Sequence, residues 1–112
     1  MTTAVFDREA FEEMVNMTGY ESKTTFWDDF CVAERFGHKA IKDTFNRAFD
    51  EWKSNIEYIT ELVMILNWRM WRLADFDEDT AKLYEDLWKI ADGWCTDNLK
   101  GDDLNYFLSI TD

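Results

Sequence analysis

Proline is absent from the chain, and glycine occurs only at Gly19, Gly37, Gly93 and Gly101. So few glycines leave no room for a phosphate-cradling loop: there is no GxGxxG, no P-loop and no nucleophile elbow. Histidine is represented by His38 alone and cysteine by Cys31 and Cys95, with no CxxC, no HExxH and no ExxH pair. That excludes a disulfide framework and gives no zinc or di-iron ligand set. The two cysteines read as reduced, partly buried thiols of a cytoplasmic protein. No basic segment followed by an apolar run stands at the N-terminus, so no signal peptide is expected. The longest apolar run, Leu62–Leu66, is far too short to span a membrane. Positive charge is also scarce, at 12 bases against 24 acids and a net charge of -12. Direct binding to nucleic acid or to an anionic membrane needs basic patches, so neither is expected.

What is abundant is aromatic surface. Nine Phe, six Trp and four Tyr, each able to bury roughly 150–250 Å², supply a core without staples. At 112 residues the chain reads as a single domain, residues 1–112. No strand alternation persists, and apolar residues recur at helical spacing nearly throughout. The expectation is an all-α, compact four- to five-helix bundle. Asp7 caps a helix over 7–17, with Phe11, Met14, Val15 and Thr18 as its apolar stripe and Gly19 as its end. A second helix covers 24–36, with Phe26, Phe30 and Ala33 inward and Gly37 as the stop. A third covers 38–53 and turns Ile41, Phe45, Ala48 and Trp52 to one side. The stretch 54–74 stays in phase with it. An unbroken helix over 38–74 would run about 56 Å, and Ser54 with Glu57 forms a capping box, so a break near Ser54 is expected. "DFDEDT", 75–80, reads as a loop in which Asp77 or Asp79 caps the next helix, 79–99. There Tyr84, Leu87, Trp88, Ala91, Trp94, Cys95 and Asn98 share a face. Gly101 stops it, and 102–109 reads as a short closing helix.

Within 54–74 the segment "LVMILNWRMWRL" is apolar on two sides. Leu62, Leu66, Met70 and Leu73 fall on one, Met64, Trp68 and Trp71 on the other. Such a helix is central in a bundle or buried at an interface. The indole side is covered by the first two helices, by a second copy of the chain, or by another protein, since Trp is favoured at interface hot spots.

No catalytic constellation stands out. His38 and Glu34 are four residues apart, but Gly37 interrupts the helix between them. The adjacent acids Asp28–Asp29, Glu12–Glu13 and Glu85–Asp86 point in different directions on a helix. "DFDEDT" lacks the glycine and terminal glutamate of a calcium loop. The reading is therefore non-enzymatic, without cofactor or metal. Charge is uneven: residues 75–112 hold eleven acids and three bases, residues 1–74 thirteen acids and nine bases. Spaced carboxylates on helices can imitate the phosphates of duplex DNA, one charge per roughly 1.7 Å of axis. An acidic DNA-mimicking inhibitor of a DNA-binding enzyme is thus the alternative to plain protein–protein contact.

"YITELVMILNWRMW" (58–71) and "LYEDLWKIADGWCTDNLKGDDLNYFLSITD" (83–112) resemble a set of small uncharacterised proteins of gut Bacteroidetes that travel with conjugative elements and related mobile DNA. The most specific pieces are "TELVM", "LNW", "LYEDLW" and "DNLKG" with "NYF" behind it, and together the likeness covers about half the chain. That family has no assigned activity, so the resemblance implies a cytoplasmic bacterial setting and an accessory role on a mobile element, and carries over no catalytic residue. The expected contact residues are Met64, Trp68 and Trp71, with Asp77, Glu78, Asp79, Glu85 and Asp86 as an acidic patch. The expected partner is a protein, either basic or a second copy.

Overall fold

The structure is a computed structural model that describes Glu13 and residues 19–111. The helix expected over 7–17 lies, apart from Glu13, outside the described residues. Helix α1 covers Phe26–Glu34, α2 His38–Trp52, α3 Ile56–Leu73, α4 Glu78–Asn98 and α5 Gly101–Thr111. Among the described residues there is no strand, and the chain is the all-α bundle the spacing predicts.

Helix α1 starts later and ends earlier than 24–36. Thr24 and Thr25 are spent on its entry: the Phe26 N–H donates to the Thr24 hydroxyl at 3.2 Å, and the Thr25 hydroxyl donates to Asp29 at 3.0 Å. At its end the N–H groups of Phe36 and Gly37 both turn back to the Ala33 carbonyl. Gly37, at φ +108°, then redirects the chain into α2, a conformation closed to side-chain-bearing residues. The expected break between α2 and α3 is present, but the cap is Asn55 rather than Ser54. The Asn55 carboxamide oxygen accepts from the Tyr58 N–H at 3.1 Å. Asp77 caps α4, accepting from the Thr80 N–H at 3.1 Å. The closing helix extends beyond 102–109 to eleven residues, and Gly101, at φ +58°, opens it rather than ending α4.

Helix α3 is the axis of the bundle and packs against each of the other four. From Ile59 to Leu66 every residue is buried, and so are Arg69 and Leu73. This central position, in contact with all four other helices, is why α3 is apolar on more than one side. Ile41, Phe45 and Ala48 of α2, Phe26, Trp27, Phe30 and Ala33 of α1, and Leu83, Tyr84, Leu87, Ala91 and Cys95 of α4 complete the core. Cys31 and Cys95 are both buried and neither is in a disulfide. Asn98, assigned to the inner face of α4 on spacing, is exposed, and its amide folds back to the Trp94 carbonyl. No helix among the described residues is long and apolar enough to cross a membrane.

Two buried carboxylates cross-link the core. Glu34 closes α1 onto α3 and α4. It takes two hydrogen bonds from Arg69, Nε at 3.0 Å and Nη2 at 2.7 Å, and a third from the Tyr84 hydroxyl at 2.6 Å. The Arg69 guanidinium lies over the Trp27 ring, 4.8 Å from its centroid, and its residue is 0% exposed. Burial alone would lower the arginine pKa, but hydrogen bonding and charge from Glu34 outweigh it and hold the group above its ordinary value. Burial, reinforced by the Glu34 charge, pushes the Tyr84 phenol well up. Glu61, 1% exposed on α3, makes no ion pair among the described residues. Instead it collects donors from one loop: Tyr20 Oη at 2.9 Å, Ser22 Oγ at 2.7 Å, the Lys23 N–H at 2.7 Å, and the Thr24 hydroxyl. That loop is thereby clamped across the middle of α3.

Candidate interaction surface

The α1–α2 turn and the α3–α4 turn are fastened together at one end of the bundle. His38, the first residue of α2, places Nε2 3.0 Å from the Thr80 hydroxyl of α4. Thr80 gives its only hydroxyl hydrogen to Asp77, at 2.6 Å, so the histidine N–H is the donor to Thr80. The hydroxyl and N–H of Thr80 together hold the Asp77 carboxyl below the usual carboxylate range. Just inside lies the Glu34–Arg69–Tyr84 network.

On this fastened end sit three exposed aromatics: Phe36 at 78%, Phe76 at 76% and Trp71 at 68% exposure. Phe36 precedes His38 by two residues, and Phe76 adjoins Asp77. Both turns are tight. The Phe76 and Asp77 N–H groups bond the Leu73 carbonyl at 3.0 and 2.9 Å, and the Phe36 N–H bonds the Ala33 carbonyl at 2.9 Å. The outward rings therefore ride on constrained backbone. A furrow of about 340 Å³ runs beside Trp71 between α3 and α4, lined by Met70, Ala74 and Ala81 with Glu78, Lys82 and Glu85. A second, of about 590 Å³, lies between α1 and α2 and reaches the same end through Val32 and Phe36.

The structure separates the residues that the sequence places on one face. Met64 is 6% exposed, within the buried run of α3. Met64 and half-buried Trp68 line a different groove of about 550 Å³, with Tyr20, Trp88, Asp92, Phe107 and Leu108. Trp71 alone of the three is largely exposed. The acids divide as well. Asp77 is occupied as a cap. Asp86 is ion-paired with Lys82 at 2.7 Å, and Lys82 and Lys89 both reach Glu85, at 3.5 and 4.0 Å. The Lys82 pair keeps the Asp86 carboxyl below its usual range. Glu78 and Asp79 are exposed on the first turn of α4.

Sequence spacing gives no sign of Phe36 and Phe76 as surface groups; both sit at helix ends, where periodicity fails to assign a face. Their one signal is position, a large apolar residue beside a Gly stop or within an acidic turn. Among the described residues no group of three or more His, Cys, Asp and Glu is placed to hold a metal ion. No protein-family model, curated protein or solved structure matches the chain.

Proposed function

We propose that the protein is a non-enzymatic accessory protein that works by protein–protein contact, through the end of the bundle bearing Phe36, Trp71 and Phe76. One observation carries this reading: large rings stand in water on two tightly hydrogen-bonded turns, while the other aromatics among the described residues are mostly drawn inward. An exposed ring on a rigid support loses little conformational freedom when a partner covers it, and exposed aromatics grouped at one place mark contact sites. A mobile-element setting in a bacterial cytoplasm is supported by the sequence resemblance alone. Mimicry of DNA draws less support, because Lys82 and Lys89 interrupt the acids along α4 and Asp77 is spent on capping.

A photo-crosslinking side chain placed at position 76 should give a protein adduct in the native host. The same group at position 46, on the exposed side of α2, should not. Trp71→Ser should abolish the adduct at 76 without altering the melting temperature. Equal labelling from both positions would remove the assignment of this end as the contact surface.

A further inference from the structure

The furrow between α3 and α4 has a chemistry that selects its occupant. Its floor is apolar and small, from Met70, Ala74 and Ala81, and the exposed Trp71 indole forms one wall. Glu78 and Glu85 stand two helical turns apart on the α4 rim; Glu85 is drawn to Lys82 at 3.5 Å and Lys89 at 4.0 Å, which leaves the exposed Glu78 as the carboxylate beside Trp71. The adjoining turn adds Asp75 and Asp77, and the start of α4 adds Asp79. Arg35, Arg72 and Lys82 are also at this end, but the carboxylates outnumber them. A flat cation fits such a place. A guanidinium can stack on an indole and pair bidentately with a carboxylate, and it sheds water more readily than an ammonium.

We infer that this furrow takes an arginine-bearing segment of a basic protein, with an apolar side chain seated on the Met70–Ala74–Ala81 floor and a guanidinium between the Trp71 indole and the Glu78 carboxylate. The inference rests on the contact surface proposed above and names its partner's chemistry. A second copy of this chain is a poor occupant. A two-fold contact presses the same patch against itself, which sets the acids of 75–79 against each other in a chain of net charge -12. Like charges in apposition oppose binding.

The test follows the Trp71 indole N–H by NMR, assigned through Trp71→Phe, while the whole chain is titrated with short helical peptides of leucine and alanine carrying arginine, glutamine or glutamate. The arginine peptide should move the Trp71 resonance and bind about tenfold more tightly than the glutamine peptide. Glu78→Gln should remove that advantage, and so should raised salt. Equal binding of the glutamine and arginine peptides would overturn the basic occupant and leave the contact surface standing. If no peptide moves Trp71 but the protein's own concentration does, the occupant is a second copy and the inference fails. A Trp71 resonance that moves under none of these conditions would overturn the furrow as a docking site, while the crosslink from position 76 would still test the wider surface.

Discussion

Arg69 is a charge with no route back to water. It is 0% exposed, and its compensation is Glu34 together with the Trp27 ring below it. Removing one member of such a pair strands the other. Arg69→Met should therefore destabilise by about 3–5 kcal/mol, while Arg69→Met with Glu34→Leu should recover much of that loss. Urea melts of the two singles and the double decide it; a double as unstable as the sum of the singles would show that the ion pair is not the unit. Tyr84 tests the same network by pH. Its folded pKa is raised, by burial first and then by Glu34, against about 10 when unfolded. The folded chain thus holds the phenolic proton more tightly. This contribution is intact below about pH 10 and is lost as pH climbs past it. Tyr20, raised in the same way beside Glu61, acts in the same direction. Tyr84→Phe should cost about 1–3 kcal/mol at neutral pH and should make the alkaline fall in stability shallower. An unchanged alkaline slope would place the titrating groups elsewhere.

At the scale of the helix, the break between α2 and α3 separates two readings of one short sequence. Ser54 with Glu57 satisfies the capping-box pattern, yet the side chain that bonds the new helix is Asn55. Asn55→Ala should cost about 0.5–2 kcal/mol in thermal unfolding, and Ser54→Ala much less; the reverse order would restore the capping box. Gly37 makes a second case. At φ +108° with nothing within 4 Å of a Cβ, Gly37→Ala meets no neighbour, so any loss is backbone strain alone, about 1–3 kcal/mol. The helices, their inward stripes and the Gly37 stop were legible because each depends on residues within a few positions of one another. The buried network was not, because its partners lie 35 and 50 residues apart, and a Glu or an Arg on a helix reads as a solvated group until its neighbours are known. The surface proposed for contact was half legible. Trp71 showed itself as one side of an over-apolar helix, whereas Trp68 and Met64, three and seven residues earlier, could not be told from it by spacing alone.

Over the whole molecule, the distribution of stability and exposure separates scaffold from surface. The clamps at Glu34 and Glu61 tie the loop at 20–24, α1 and α4 to the central helix. The exposed rings of Phe36, Trp71 and Phe76 lie outside those ties. Replacing any of the three with Ser should change stability by no more than about 0.5 kcal/mol, whereas Phe30→Ala or Phe45→Ala, fully inside, should cost about 3–5 kcal/mol. The same division bears on the state of association. A face that is apolar at its centre and acidic at its edge is kept from its own copy by charge, and charge is screened by salt over about 10 Å at 0.1 M. Light scattering at low and moderate salt should therefore give the mass of a single chain. At high salt a shift toward dimer that Trp71→Ser removes would mean that only repulsion keeps the faces apart, which fits a surface built for a partner of opposite sign. A dimer already present at low salt would mean that the exposed rings close on each other despite the acids, and that the protein is its own partner.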